Sequence, residues 1–450
     1  MVIGSYSAVA ILVICTAVGC SSSDGGAPGG EDAGVAGNSS GGAAATGGNT
    51  AGTGGGGASR GTAGRASGAG GTVPSSSGGE ANGTGAAGGA GGRSSSSTGG
   101  AAGGAGKAVD GGGDGSPGLT PSKLFFSPYK DTSINMNWNT NVVATNVSGS
   151  AAPLASALVG AGTNAVTLAF ATGECGSENW AGLSGSTMAA TNVPLLTKAN
   201  IRYVVSTGGA AGVFTCGSDA GFTSFVDRWA SANLVGIDFD IEAGQSESQV
   251  GELVRRIKSA HAAYPALRFS LTLATLANND GAATAQSLGS AVRDSFNTYG
   301  DQSMAAVSST LGFSGNAASW PPYLTVNLMT MDYGAPGSGV CVVSGGACQM
   351  GQSAVQAAYN LHDEWGVPYD HVELTPMIGG NDVSTEKFTL ADGDTVARFA
   401  ISQGLAGVHY WSLDRDTDCA VGAASPTCNS MGAGYAGPLG YLERFSNGLR

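Results

Sequence analysis

The chain contains 450 residues, of which 78 are glycine and only 11% are charged, and its formal net charge is -13. This acidic balance excludes proteins that bind nucleic acid through a basic surface, because Lys and Arg side chains are what release counterions from phosphates. The four histidines are scattered without the spacing of metal ligands, so we expect neither a metal nor a cofactor.

The first 20 residues are typical of an export signal. The apolar segment from Ala8 to Val18 is too short to span a bilayer, and Gly19 and Cys20 follow it. Residues Ala17 to Cys20 resemble a bacterial lipobox, which implies cleavage before Cys20 and lipidation of its thiol. We expect an exported protein, either a cell-surface lipoprotein that touches the membrane only through this anchor or a freely secreted protein.

Residues 21–118 have the composition of a disordered linker. They contain 38 glycines, six acidic and four basic side chains, and no Phe, Trp or Tyr. Such a segment cannot bury enough apolar surface to offset its loss of conformational entropy. Residues 119–450 carry 26 acidic and 15 basic side chains and are long enough for either two ordinary domains or one large barrel. We expect the protein to be a monomer.

From residue 124 onward, short apolar segments alternate with segments of helical periodicity. Alternating strands and helices predict a parallel sheet, and eight strands within 332 residues fit an α/β fold, the (β/α)8 TIM barrel. The predicted strands are 124–127, 165–171, 202–206, 234–242, 269–275, 323–332, 372–378 and 407–412. The predicted helices are 222–232, 250–263, 283–299, 353–365 and 392–403.

The fourth predicted strand carries three acidic residues, Asp238, Asp240 and Glu242, at alternate positions. Alternate side chains of a strand point to the same face, about 6.6 Å apart, so all three carboxylates are expected to enter the barrel together. Mutual repulsion and burial favour retention of at least one proton near neutral pH, as a general acid requires. A solvated acidic face does not suit a central barrel strand, and a divalent-metal site lacks further ligands.

Asp414, Asp416 and Asp418 alternate as the first ligands of a calcium-binding loop do. Cys419 stands at the invariant glycine position of that loop, and Ser425 stands at the position of its bidentate glutamate. We predict no metal site there.

Gly236, Asp238, Asp240 and Glu242 form the pattern GxDxDxE, preceded by Val235. Apart from Val235, which replaces an acid, this is the DGxDxDxE signature of glycoside hydrolase family 18, the chitinase family. Other segments agree with that family in the same chain order, so residues 120–450 resemble it nearly throughout, in particular its bacterial branch with short loops. These segments are 126–129 (FSPY), 206–209 (STGG), 329–333 (MTMDY), 375–379 (TPMIG) and 411–416 (WSLDRD).

The resemblance implies substrate-assisted retaining catalysis without an enzyme nucleophile. Glu242 would protonate the glycosidic oxygen while the acetamido carbonyl of the substrate attacks the anomeric carbon. Asp240 would hold the acetamido N–H and balance the positive charge of the oxazolinium ion, and Asp238 would hold or share the proton of Asp240. Asp332 would position the acetamido group.

Several aromatic and neighbouring residues are implied as sugar contacts. Many chitinases have Tyr where Met331 stands, and Tyr333 is expected to supply the missing hydroxyl. Trp411 matches the tryptophan on which the sugar in the −1 subsite rests. The candidates for further subsites, each weighed against ordinary packing, are Tyr129, Trp138, Trp180 and Trp320.

Six cysteines follow the export signal and Cys20, and six cysteines allow 15 pairings. A barrel brings the loops after its second and third strands together, and the other four cysteines form two pairs that are close in sequence. We therefore predict that Cys175 pairs with Cys216, Cys341 with Cys348, and Cys419 with Cys428, as suits an exported protein.

The resulting hypothesis is an exported chitinase that hydrolyses β-1,4-linked N-acetylglucosamine in chitin or its oligomers. Alternatives are an endo-β-N-acetylglucosaminidase acting on N-glycans, and a surface lipoprotein that binds chitin or other glycans without hydrolysis; the presence of Glu242 argues against the second. Residues 381–406 are too few for the α+β domain that processive members of the family insert between strands seven and eight. We therefore expect an open cleft and endo-acting hydrolysis.

Overall fold

The computed structural model describes residues 124–289 and 294–450, and eight parallel strands form the centre of this part of the chain. The first strand pairs with both the second and the eighth, so the sheet closes into a barrel. The TIM-barrel prediction is therefore confirmed. The strands are β1 (Phe125–Asp131), β2 (Ala165–Ala171), β3 (Arg202–Gly208), β4 (Leu234–Ile241), β5 (Arg268–Ala274), β6 (Leu324–Met329), β7 (Val372–Thr375) and β8 (Gly407–Tyr410).

The helices of the described residues connect these strands or follow the last one. Side-chain caps set several of their ends: Ser246 and Gln249 form a capping box at the start of α4, and Thr389 and Asp392 form one at the start of α7. None of the helices in the described ranges is long and apolar enough to cross a bilayer. They are α1 (Leu154–Gly160), α2 (Gly185–Lys198), α3 (Asp219–Trp229), α4 (Glu247–Ala263), α5 (Thr298–Leu311), α6 (Met350–Trp365), α7 (Leu390–Gln403) and α8 (Gly440–Gly448).

The two faces of β4 divide as the alternation of its sequence predicts. Ile237, Phe239 and Ile241 are buried in the hydrophobic core around the barrel, where the ring of Phe239 lies 5.9 Å from that of Phe222 on α3. The intervening Asp238 also has almost no solvent-accessible surface, because it lies on the inner face. The apolar outer face thus holds the strand against the helices and leaves its inner face for polar side chains.

The predicted helix 283–299 is wrong. Residues 283–289 and 294–297 are not helical, and α5 begins only at Thr298 after the N-cap Asn297. The backbone N–H groups of Ala285 and Gln286 donate instead to the side chains of Gln352 and Gln356 on α6, both at 3.0 Å. Contacts with another helix therefore replaced the local hydrogen bonds that the alanine-rich pattern indicated.

Three disulfides join the predicted pairs Cys175–Cys216, Cys341–Cys348 and Cys419–Cys428. The first links the loops after β2 and β3, and both of its cysteines are buried. Three structural disulfides indicate a protein that folds outside the reducing cytoplasm. The predicted export signal, the lipidation at Cys20 and the linker 21–118 lie outside the described residues.

The connection from β7 to β8 is short. It consists of an antiparallel hairpin, in which Gly379–Gly380 pairs with Lys387–Phe388, followed by α7. Residues 381–406 are all described and contain no inserted domain. Residues 379–388 are hereafter called the 379–388 hairpin.

Candidate active site

A cavity of about 230 Å³ opens at the C-terminal ends of the barrel strands. Residues from the ends of several strands line it, including Phe170 from β2, Asp240 from β4, Met329 from β6 and Trp411 after β8. This is the end of a TIM barrel at which active sites form. Glu242 and Asp332 line the same cavity, hereafter called the cleft.

Asp238 lies below the cleft and is held by hydroxyl groups from three strands. Its Oδ1 accepts hydrogen bonds from Ser270 and Thr272 at 2.6 and 2.7 Å, and its Oδ2 accepts from Ser206 and Tyr129 at 2.6 and 3.0 Å. These four donated hydrogen bonds occupy the acceptor sites of the two carboxyl oxygens. The carboxyl group of Asp238 is therefore fixed in position by donors from β1, β3 and β5.

A buried charged cluster lies deeper in the barrel. Arg268 forms an ion pair with Glu373, whose other oxygen lies 2.7 Å from Nε2 of His409. These three residues and Asp238 line a cavity of about 10 Å³, the size of one water molecule. Burial lowers the pKa of His409 to about 3, so its imidazole favours the neutral form near neutral pH.

Asp240 has a different environment although it lies two residues along the same strand. It is buried, and its Oδ1 has no hydrogen-bond partner among residues 124–289 and 294–450. Burial raises its pKa well above the usual value, and the charges of Glu242 and Asp238 raise it further. Asp240 therefore presents to the cleft a carboxyl group that favours its protonated form.

Glu242 follows β4 and is partly exposed on the cleft wall. Burial raises its pKa to about 7, against the opposing effect of a hydrogen bond from the Ala210 backbone, and Asp332 raises it too. A carboxyl group with such a pKa can donate and accept a proton near neutral pH. The family resemblance had assigned proton donation to Glu242, whereas the alternation of acidic residues alone did not distinguish it from Asp238 and Asp240.

The STGG segment places β3 against the three acidic residues. Ser206 donates to the Asp238 carboxylate, and Thr207 donates to the Asp238 carbonyl at 3.1 Å. At Gly208, with φ of +88°, a side-chain Cβ would lie 2.1 Å from the carbonyl oxygen of Asp240. Only glycine permits this close approach, so this part of the motif shapes the backbone under the cleft.

Trp411 and Tyr129 lie at the cleft as predicted, but they do different things. The Trp411 ring stacks on Phe170, with centroids 5.5 Å apart and planes at 19°, and remains partly exposed to the cleft. Tyr129 is almost fully buried, and its hydroxyl is engaged with Asp238. Trp411 thus presents a free aromatic surface, whereas Tyr129 mainly orients the carboxylate.

Two predicted sugar contacts are wrong. Trp180 is completely buried, with its ring 5.0 Å from that of Trp229, because the hairpin that carries it folds onto α3. Tyr333 does not line the cleft, since its ring is part of the hydrophobic core. Trp320 is also buried, and its indole donates to the Leu324 carbonyl at 2.7 Å, whereas Trp138 is 53% exposed on the loop after β1.

Met331 and Asp332 do reach the cleft. Asp332 has a left-handed backbone, with φ of +50°, and its Oδ1 accepts a hydrogen bond from the Val383 backbone at 2.9 Å. Burial raises the pKa of Asp332, and the negative charge of Asp382 adds to this effect. Asp332 is thus held by the 379–388 hairpin at the side of the cleft.

The alternating acids Asp414, Asp416 and Asp418 lie in the segment that follows β8. Asp414 forms a fully buried ion pair with Lys130 at 2.8 Å. Asp416 accepts hydrogen bonds from the first backbone N–H groups of α8, and Asp418 accepts one from Asn429 at 2.7 Å. Each of the three carboxylates therefore has donors within the protein.

Two cleft residues escaped the sequence analysis, Phe170 and Asp382. Phe170 stands near the end of β2, where a barrel directs side chains toward its active site, so its position in the strand was an available signal. Asp382 lies at the tip of the 379–388 hairpin. No local pattern marks it, because only the fold of the hairpin carries it to the cleft.

Solved structures of chitinase domains have folds similar to that of this chain. A chitinase catalytic domain from Pyrococcus furiosus is 22% identical, with a TM-score of 0.51, and the match covers 73% of this chain and 95% of that one. Mutants of active domain 2 of the thermostable P. furiosus chitinase, solved in complex with chito-oligosaccharides, are 21% identical, with a TM-score of 0.51 and coverages of 73% and 97%.

The sequence comparison covers much less. A probable bifunctional chitinase/lysozyme of Escherichia coli is 34% identical over 102 residues, which is 20% of this chain and only 11% of that protein. No protein-family profile matches the chain. From the closed barrel and its structural relatives we conclude that this chain has the fold of the glycoside hydrolase family 18 chitinases.

Proposed function

We propose that this protein hydrolyses β-1,4 linkages between N-acetylglucosamine units, with Glu242 as its general acid. The observation that carries the proposal is the position of Glu242 and Asp240 together on the wall of one cleft. Glu242 has a pKa of about 7, which suits proton transfer near neutral pH. The barrel shared with chitinase domains supports the same class of reaction.

In the first step Glu242 gives its proton to the glycosidic oxygen, and the bond from that oxygen to the anomeric carbon breaks. The acetamido carbonyl oxygen of the same sugar attacks the anomeric carbon and forms an oxazolinium ion. Water then adds to the anomeric carbon, Glu242 accepts a proton from it, and the ring of the oxazolinium opens. Two inversions at one carbon give net retention of configuration.

Asp240 and Asp238 have different electrostatic roles in this reaction. When Glu242 carries its proton, its negative charge no longer raises the pKa of Asp240, which makes ionisation of Asp240 easier. The unpaired oxygen of the ionised Asp240 can then accept the acetamido N–H and face the positive oxazolinium. Asp238, with its four hydroxyl donors, makes no hydrogen bond to Asp240 in this structure. We therefore assign Asp238 the role of a fixed charge that raises the pKa of Asp240, in place of a proton-sharing role.

The substrate is held from two sides of the cleft. Trp411 offers its exposed ring face to the apolar face of the sugar, and Asp332 offers a carboxyl group to the acetamido substituent. The Met331 side chain lines the same cleft and supplies an apolar contact where a hydroxyl was expected. The disulfides support action outside the cytoplasm, where chitin is met.

The test is an assay of the purified protein on chitin oligomers and on a high-mannose glycoprotein, side by side. We expect oligomer cleavage with retention of the β-configuration in the first products, measured by NMR. Glu242→Gln should lower turnover at least about a hundredfold and leave oligomer binding largely intact, because the lost interaction belongs to the transition state. Glu247→Gln, at an exposed position of α4, is the matched control and should have no effect.

Other outcomes would assign the protein differently. Near wild-type turnover by Glu242→Gln would exclude this residue as the acid. Release of N-glycans without cleavage of chitin oligomers would identify an endo-β-N-acetylglucosaminidase. Oligomer binding by an inactive wild-type protein would identify a glycan-binding protein.

A further inference from the structure

The segment after β6, which carries Asp332, depends on the 379–388 hairpin for its conformation. Asp332 adopts a left-handed backbone with φ of +50°. This conformation is unfavourable for a residue with a side chain unless neighbouring groups hold it. The groups that form hydrogen bonds with this segment belong to the 379–388 hairpin.

Four hydrogen bonds join the two segments. The backbone N–H of Asp332 donates to Oδ1 of Asn381 at 3.3 Å, and the N–H of Val383 donates to Oδ1 of Asp332 at 2.9 Å. The next two N–H groups, of Tyr333 and Gly334, donate to the two oxygens of Glu386 at 3.1 and 2.9 Å. Three consecutive residues are thus fixed at their backbone, and Asp332 is also fixed at its carboxylate.

Asn381 and Glu386 are themselves rigidly held. Both are buried, with 1% and 0% of their surface exposed. The Asn381 amide donates to the carbonyls of Met377 and Gly379 at 3.0 and 3.2 Å, and its backbone N–H donates to the Glu386 carbonyl at 3.1 Å. The contacts with Asp332 therefore transmit the position of β7 and its hairpin to the cleft wall.

The base of the hairpin is anchored by a buried cation. Arg415 donates to the Ile378 carbonyl at 3.1 Å and also to the Gly380 carbonyl. Neither Asn381 nor Glu386 lines the cleft, so neither can touch a bound sugar directly. Any effect of the two residues on the reaction must pass through the segment that they hold.

We propose that Asn381 and Glu386 are positioning residues that hold Asp332 in the orientation that receives the N-acetyl group. This inference rests on the proposed function, in which Asp332 contacts the acetamido substituent. A displacement of about 1 Å in a positioned group can reduce a rate by about a hundredfold. The two residues are therefore determinants of catalysis although they lie behind the cleft.

A double-mutant cycle tests this role through kcat/KM on a chitin oligomer. Glu386→Gln keeps one acceptor oxygen but turns an amide N–H₂ toward the second backbone N–H, and we expect at least about a tenfold loss. In the Asp332→Ala background the same substitution should cause less than about a twofold further loss, because the group that it positions is gone. Asn381→Ala should behave in the same way and provides a second variant if Glu386→Gln folds poorly.

The matched control is Asp416→Asn. Asp416 is also a buried carboxylate that accepts two backbone N–H groups, but it does so at the start of α8, away from the cleft. Per folded molecule, its replacement should change kcat/KM by less than about twofold in either background. A thiazoline analogue of the cyclised sugar adds a second readout: its affinity should weaken with Glu386→Gln as much as kcat/KM falls.

The possible outcomes distinguish a failure of the positioning role from a failure of the proposed hydrolase function. Equal losses from Glu386→Gln in the wild-type and Asp332→Ala backgrounds would overturn the positioning role while leaving the hydrolase intact. An active Asp332→Ala variant with wild-type kcat/KM would overturn the role of Asp332 and the inference together. A wild-type protein inactive on every N-acetylglucosamine polymer would remove the proposed function itself.

Discussion

At the scale of single residues, three carboxylates on one strand acquire three different properties from their surroundings. Four hydroxyl groups donate hydrogen bonds to the carboxyl group of Asp238, whereas burial and two acidic neighbours raise the pKa of Asp240. Glu242 lies at the edge of the cleft, where burial raises its pKa to about 7. Repulsion between the three carboxylates was predictable from the sequence of the strand. Which of them have a raised pKa depends on the groups that surround each one in the folded structure.

The raised pKa of Glu242 predicts a dependence of stability on pH. Its folded-state pKa of about 7 lies above the pKa of 4.5 of an ordinary glutamate in the unfolded chain, so its contribution to stability is present below pH 4.5 and is lost as pH rises to about 7. Glu242→Gln removes the buried charge and should raise the free energy of unfolding at pH 8 by up to about 3 kcal/mol, with little change at pH 4. Denaturant unfolding at both pH values measures this, with Glu247→Gln as the control. An equal change at both pH values would show that the charge of Glu242 is not the cause.

At the scale of elements, the connection between β7 and β8 has two effects. Its hairpin carries Asn381, Asp382 and Glu386 to the segment around Asp332, and its shortness leaves that side of the cleft without an added domain. The sequence predicted the second effect from the number of residues alone. It did not predict the first, because a hairpin with a glycine pair at its base has no distinctive periodicity.

The short connection predicts endo-acting hydrolysis with little processivity. A cleft without an inserted wall encloses less of a polymer, so a chain should bind at its middle and leave after one or few cuts. Viscosity and reducing ends are followed together on a soluble chitin derivative. We expect viscosity to fall early, before many ends appear. A slow fall in viscosity, with disaccharide as the main product from the first minutes, would contradict this mode of attack.

In the segment before α5, tertiary contacts overrode a helix that the local sequence predicted. Its alanine-rich composition favoured a helix over 283–299, but side chains of α6 bind its backbone and the helix begins at Thr298. Helix propensity amounts to tenths of a kcal/mol per residue, so a few tertiary hydrogen bonds can override it.

At the scale of the whole molecule, the disulfide between Cys175 and Cys216 connects two loops that the barrel brings together, whereas the other two disulfides each lie within one loop. Cys175 and Cys216 are 41 residues apart in sequence, whereas Cys341 and Cys348 are only 7 apart. Loop-closure entropy predicts that replacing the first pair by serine costs about 4 kcal/mol and replacing the second about 2 kcal/mol. Unfolding of the two double variants in denaturant measures the difference. Equal losses would indicate that strain or residual structure, and not loop length, sets the contribution of each bridge.

The sequence by itself determined the eight strands, the shared inner face of the acidic residues and the three disulfide pairs. These depend on local alternation of apolar and polar residues, or on pairs that are close in sequence or lie on adjacent barrel loops. Only the tertiary structure decided that Trp180 and Tyr333 are buried and that Phe170 and Asp382 line the cleft. It also decided the hydrogen bonds that Asp238 accepts from β1, β3 and β5 and the clamp that Asn381 and Glu386 form around Asp332. The physical reason is that closing a barrel joins residues that are distant in sequence, and no periodicity along one segment records which side chains will meet.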